Sequence, residues 1–264
     1  MVRVAGHFGE WVQGRVGPGG PLALVTVSCP ALAVTARVEK DGSAGIDQRP
    51  VVLSPEAIAR LVAALGLSPG RVVMRAEMPP GGGAGASTAA LVALARTCGS
   101  AAGPAEIAAA CLAAEGATDP LMMPAPDALL WAPRAARPLR AVPPPPRAEI
   151  VGGFFGPPIA TDPADLDFPD VQDLIESWGA ARSLSRIAWI ASTSARRTTR
   201  ARGPKDDPTA EIARELGALG WVRAHTGSAR GLIFAPGTVP PTAEPALAAA
   251  GLTGIMRFAT GGRA

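Results

Sequence analysis

Apolar and polar positions divide the chain into short β-type runs and longer stretches with helical spacing. Leu22-Ala23-Leu24-Val25-Thr26-Val27-Ser28-Cys29 and Ala31-Leu32-Ala33-Val34-Thr35-Ala36-Arg37-Val38 read as two strands split by Pro30. The polar run Glu39-Lys40-Asp41-Gly42-Ser43 marks a turn. Ser54-Pro55-Glu56 is a helix start, a capping serine with proline at the first helical position. Ile58, Leu61, Val62 and Leu65 keep one apolar face through to Gly66. Arg71 to Glu77 reads as a strand, and Leu91 to Arg96, with the alanines before it, as a buried helix. Gly103 to Glu115 is an alanine-rich helix with a proline near its start.

Arg137 to Val142 and Pro143-Pro144-Pro145-Pro146 read as a stiff spacer, which divides the chain into halves at 1–142 and 147–264. The second half opens with a strand at Ala148 to Phe155 and a turn at Ile159 to Asp165. Phe168-Pro169-Asp170 is expected to cap a helix over Val171 to Trp178, followed by a longer helix from Ala180 to Ser194. Trp178 and Trp189 read as core residues. Asp207 to Gly220 is a helix ended by glycine, and Thr242 to Leu252 another, before a strand at Gly254 to Phe258.

Composition adds little to this mixed α and β pattern. A length of 264 residues, 48% hydrophobic and 18% charged, suits a globular chain with a sizeable core. A net charge of +3 gives no ground for a nucleic-acid or membrane partner. The one charge cluster, Arg196 to Lys205, reads either as a basic lid over an acidic ligand or as a solvated loop. Cys29, Cys98 and Cys111 have no metal-type spacing and suit a reducing compartment. No apolar signal core opens the sequence, and no apolar run reaches the roughly 20 residues a membrane helix needs, so a cytoplasmic location is expected.

The candidate chemistry centres on Pro79-Pro80-Gly81-Gly82-Gly83-Ala84-Gly85-Ala86-Ser87-Thr88, which lies between the strand at 71–77 and the helix at 91–96. Glycines let the backbone approach a ligand closely, and a helix N-terminus offers unpaired N–H groups to a phosphate. It is not a Walker A loop, because Ala86 stands where the lysine is required. Nor is it a dinucleotide fingerprint, because no glycine follows Gly83-Ala84-Gly85 at the required spacing.

The segment resembles the second motif of the GHMP kinases, Pro-x-x-x-Gly-Leu-Gly-Ser-Ser-Ala, with Ala84 in place of leucine and Ala86 in place of the first serine. Phe8-Gly9-Glu10-Trp11-Val12-Gln13-Gly14 and Ser28-Cys29-Pro30 resemble the first motif of one branch, the L-threonine kinases of cobalamin side-chain synthesis. Ala224-His225-Thr226-Gly227-Ser228-Ala229-Arg230-Gly231-Leu232 is similar to that branch's third motif. Glu115-Gly116-Ala117-Thr118-Asp119 blends the threonine-kinase and homoserine-kinase versions of the segment between.

The resemblance implies an α+β GHMP kinase fold, an N-terminal β/α nucleotide-binding half and a C-terminal ferredoxin-like half. It implies ATP and Mg2+, with Pro80, Gly81, Gly82, Gly83, Ala84, Gly85, Ala86, Ser87 and Thr88 around the nucleotide. Ser87 would ligate magnesium together with a glutamate, Glu115 or Glu106. Asp119 would take or orient the proton of the acceptor hydroxyl. Glu10, Gln13, His225, Thr226, Gly227 and Ser228 would meet a small hydroxyl substrate, L-threonine by the branch, homoserine or another small alcohol by the 115–119 pattern. Ala86 and Ala90 leave room for a GHMP-fold protein that binds ligand without turnover. On its own residues Thr118-Asp119-Pro120 is also a good turn, Glu10 a strand-end carboxylate, and His225 a hydrogen-bonded turn residue. His7 reads as a partly exposed packing histidine.

Overall fold

β1 (Val2–Arg15) and β2 (Leu22–Glu39) form the long antiparallel hairpin on which the rest of the chain is laid. The structure, a computed structural model, describes residues 1–40 and 43–261. Part of the turn expected at 39–43 therefore lies outside the described residues. Pro30 does not split β2 into two strands. Ala5 pairs with Ala33 and Gly6 with Cys29, so residues 30–32 bulge from one continuous strand and the missing proline N–H interrupts no ladder.

Beyond the hairpin come β3 (Gly45–Arg49), α1 (Pro55–Leu65), β4 (Arg71–Ala76), α2 (Ala86–Thr97) and α3 (Pro104–Glu115). Ser54 Oγ accepts from Ala57 N at 3.1 Å, and Gly66 closes α1 in a left-handed conformation, as the sequence signals require. Leu91, Val92, Ala93, Leu94 and Ala95 are all buried, so α2 is apolar all round and sits in the core.

The expected spacer at 137–142 is a strand. β6 (Arg137–Ala141) pairs antiparallel with β5 (Leu129–Ala132), and β5 reaches β2 through Trp131 opposite Leu24. Trp131 is fully buried and its indole donates to Thr118 O at 2.7 Å. That anchor draws the hairpin onto the sheet.

The second half contains β7 (Ala148–Phe154), α4 (Gln172–Ala180), α5 (Leu184–Arg202), α6 (Thr209–Glu215), β8 (Gly220–Arg223), β9 (Ala229–Phe234), α7 (Ala243–Ala249) and β10 (Thr253–Thr260). Its strands run in the order β10-β7-β9-β8, all antiparallel, which with the intervening helices is the ferredoxin-like βαββαβ arrangement. The sheet then continues β8-β1-β2-β4-β3, with Glu10 opposite Arg223 at the β1–β8 junction. One sheet thus runs through both halves. Only β3 and β4 pair in parallel among the described strands.

Three expectations for the second half change. The arginine cluster is not a loop: α5 continues to Arg202. Ser192 and Thr198 turn their hydroxyls back onto the carbonyls of Ala188 and Ser194, which keeps small polar residues on the buried face. Arg197 pairs with Asp173, and Arg202 with Asp165. Trp189 is 48% exposed rather than in the core, with the Arg186 guanidinium 4.2 Å from its ring centroid. Trp178 is buried, as its spacing indicates. The expected cap Phe168-Pro169-Asp170 falls short of the N-cap position of α4, which is Val171, although the Asp170 carboxylate accepts from Gln172 N at 2.8 Å.

Candidate functional site

The loop between β4 and α2 lines a cleft of about 440 Å³. Its carbonyls are taken by neighbouring chain: Gly81 O by Ile159 N, Gly82 O by Ser228 N and Ala229 N, Gly83 O by Gly9 N, and Ala84 O by His7 N. A trans peptide points its N–H opposite its C=O, so the N–H groups of Gly83, Ala84 and Gly85 turn away from those neighbours. Gly85 then enters α2 at φ +73° with no side chain capping the helix start. A Cβ there would lie 2.5 Å from His7 Cδ2, and one on Gly83 2.3 Å from both Ala224 Cβ and Thr226 O. The loop is a bare backbone surface ending in an open helix N-terminus, the arrangement that holds phosphate.

At that helix start Ser87 and Thr88 face the C-terminal end of α3. The Glu115 carboxyl is pushed up by burial, and the Ser87 hydroxyl pulls it part of the way back. Glu106 is elsewhere, accepting from Gly103 N at 2.7 Å to cap the start of α3. Of the two glutamates the sequence offers, Glu115 is the one in the cleft. Ser87 and Glu115 are hard oxygen donors, and among the described residues no cluster of three or more His, Cys, Asp or Glu could hold a metal alone. That fits Mg2+, which takes one or two protein oxygens and completes its shell with phosphate and water.

Asp119 follows α3 and is placed by two anchors. Thr118 N donates to Pro133 O at 3.0 Å, and Trp131 holds Thr118 O. Asp119 N donates to Thr88 Oγ1 at 3.2 Å, and Thr88 Oγ1 donates to Asp119 Oδ2 at 3.4 Å. Its side chain stays 23% exposed to the cleft.

His7, expected to be partly exposed, is 3% exposed. Nε2 lies 3.2 Å from Asp119 Oδ2, and Nδ1 3.6 Å from Glu10 Oε1. The register of β1 causes this, because Gly6 and His7 pass under the glycine loop. Burial opposes the imidazolium, but the charge and hydrogen bond of Asp119 and the charge of Glu10 outweigh it and raise His7 to about 9. Burial raises Glu10 to about 8 against the pull of His7. Burial also works against the Asp119 carboxylate, yet His7 holds it below its ordinary value. Asp119 and His7 thus favour an ion pair, and Glu10 holds its proton more tightly than an ordinary carboxyl.

Glu10 Oε2 accepts from His225 N at 2.6 Å, so part of the cost of burying this carboxyl is met inside the chain. His225 stacks on Phe168 with ring centroids 3.9 Å apart, and Arg202 lies over the same Phe168 ring. Burial first, then the charge of Arg134, push His225 down to about 3, so its imidazole is neutral. Neither ring nitrogen has a partner, and His225 and Thr226 both line the cleft.

Gln13, Gly227, Ser228 and Ala84 do not line it. Gln13 points into the β1–α5–β8 packing, its N donating to Ser194 Oγ and its Nε2 donating to Arg223 O. Gly227 and Ser228 clasp the glycine loop from behind. Sequence reasoning did not anticipate Arg60, Arg134, Ile159 or Thr161, all of which line the cleft. Arg60 donates to Ala114 O at the end of α3, and Thr161 Oγ1 lies 3.1 Å from Thr226 Oγ1. The turn at 159–165 that carries Thr161 roofs the glycine loop, and nothing in its local sequence gives the contact away.

No family model matches the chain, and no curated protein matches it. Solved structures do. Mevalonate kinase from L. major, solved with R-mevalonate, superposes with a TM-score of 0.65 at 14% identity, over 98% of this chain and 96% of that one. The fold is that of the GHMP kinases. Homoserine kinase from Cytophaga hutchinsonii superposes at 0.55 and 15% identity, over 98% and 94% of the two chains. A 4-(cytidine 5'-diphospho)-2C-methyl-D-erythritol kinase does so at 0.56 and 20%, over 98% of each. In this GHMP kinase fold the cleft lies where β1, the β4–α2 loop, the end of α3 and the β8–β9 turn converge.

Proposed function

We propose that the chain is an ATP-dependent small-molecule kinase that phosphorylates the hydroxyl of L-threonine, giving O-phospho-L-threonine for cobalamin nucleotide-loop synthesis. The observation that carries the kinase reading is the opposition, in one cleft, of an uncapped glycine-loop helix start and the anchored acid Asp119. Phosphoryl transfer asks little covalent chemistry of a protein; it asks for positioning and charge. The loop from Pro80 to Thr88 positions the triphosphate. Ser87 and Glu115 would hold Mg2+, which when bound neutralises charge between the phosphates.

Asp119 accepts the hydrogen bond of the acceptor hydroxyl and aims its oxygen at the γ-phosphorus. The new P–O bond forms as the bond to the ADP oxygen breaks. Because the His7 imidazolium depresses its basicity, Asp119 orients the hydroxyl and takes the proton late, as the hydroxyl becomes acidic on bonding to phosphorus. Glu10 serves the substrate ammonium, which would ionise it. The threonine assignment is supported by the branch-specific pattern at 8–14, 28–30 and 224–232.

The test is ADP release with ATP, Mg2+ and a panel of hydroxy amino acids, with 31P NMR of the product. Turnover with threonine supports the reading. Turnover with homoserine alone moves the acceptor, and ATP binding without turnover on any alcohol removes the kinase.

A further inference from the structure

We infer that Arg134 receives a carboxylate of the acceptor, so that the site selects hydroxy acids over neutral alcohols. This deepens the kinase reading and rests on it. Pro133 O is the acceptor that fixes Thr118 N, so Arg134 leaves β5 one residue beyond the anchor of Asp119. Its Nη2 donates to Asp162 O at 2.8 Å, tying it to the segment that roofs the cleft. Its Nε is buried with no partner.

The acids near Arg134 are engaged elsewhere: Asp165 with Arg202, Asp119 with His7, and Asp162 Oδ1 with Ala164 N. Among the described residues no carboxylate lies within salt-bridge distance of Arg134. A half-buried guanidinium without a counter-ion, lining a cleft, calls for an anion from the ligand. Beside it stands neutral His225, a residue 7% exposed whose two ring nitrogens are buried and unpartnered, ready to share the same anion or its neighbouring polar group.

A second arginine of the cleft separates the two ends. Arg60 is held on Ala114 O, next to Glu115 and the loop that takes phosphate. Arg134 belongs to the Asp119–His225–Asp162 end, where the acceptor sits. A planar guanidinium matches a carboxylate in a two-point fork, which a neutral amide cannot provide.

The experiment is calorimetric titration of the full chain, preloaded with a non-hydrolysable ATP analogue and Mg2+, with L-threonine and with L-threoninamide. The amide keeps the hydroxyl and ammonium and lacks the carboxylate. The expected result is at least tenfold tighter binding of threonine. Arg134→Gln should bring the two ligands within about threefold of each other, and Arg134→Lys should restore part of the gap. Affinity for the ATP analogue should stay within twofold.

A preference that survives in Arg134→Gln, equal or absent binding of both ligands to the wild type, or a parallel loss of analogue affinity each overturns the inference. The last outcome places Arg134 on the nucleotide instead. Because the readout is binding, a carboxylate preference without ATP turnover would defeat the kinase reading while leaving Arg134 in its role.

Discussion

His7 Nε2 stands 3.2 Å from Asp119 Oδ2, and through it one buried imidazole ties the first strand to the acid that follows α3. Glu10 Oε1 faces the other nitrogen at 3.6 Å. Three ionisable side chains from two distant parts of the sequence therefore titrate as a unit.

The fold should lose stability as pH rises from about 5 to about 9. Glu10 is raised from its ordinary 4.5 to about 8, and His7 from 6.5 to about 9. Both bind a proton more tightly folded than unfolded, so their contributions are complete below the unfolded values and vanish as pH passes the folded ones. Asp119 is shifted the other way, and its contribution is lost only as pH falls through its depressed value. Melting temperature against pH reports the slope, and the double variant Glu10→Gln/His7→Gln should flatten it. An unchanged slope would disprove the coupling.

Gly85→Ala should weaken nucleotide binding at least tenfold. The new Cβ must fit at φ +73°, 2.5 Å from His7 Cδ2, so the helix start and His7 cannot both keep their places. Fluorescent ATP-analogue titration measures the loss, and an unaltered dissociation constant would refute the role given to this backbone.

Ser87→Ala and Glu115→Gln should each lower kcat by about 10²-fold and raise the Mg2+ concentration needed for half-maximal rate. Glu106→Gln, which removes only a helix cap, should leave the Mg2+ dependence as it is. Rates across an Mg2+ series separate the two glutamates.

Asp207→Ala should destabilise the fold by roughly 3–5 kcal/mol, because it strands a buried guanidinium. Arg230 and Asp207 are 1% and 2% exposed, with Nε 2.5 Å from Oδ2, and the pair links the turn after α5 to β9. Urea unfolding gives the value. A loss below about 1 kcal/mol would mean that water or another partner reaches Arg230.

Much of this was legible in the sequence. The cap at Ser54 and the strand–glycine loop–helix at 71–97 obey local rules, and the structure follows them. Residues that act through distant partners were not legible. His7 looks like an ordinary strand histidine until the β1 register carries it under the loop. Arg134 and Thr161 sit in stretches without a motif, and only the Trp131 anchor and the 159–165 crossing bring them to the cleft. Strand β6 was hidden by prolines, since a Pro-rich edge strand and a spacer share one composition. Arginines alternating with small hydroxyl residues disguised the last turns of α5.

The measurement closest to the central claim is steady-state ATP turnover with L-threonine in the wild type and in Asp119→Ala, with ATP-analogue binding recorded on both. The account predicts threonine-dependent ADP release that falls by at least 10³-fold in Asp119→Ala, while analogue affinity stays within threefold. Full activity in Asp119→Ala, or a wild type that binds nucleotide and phosphorylates no alcohol, would contradict it.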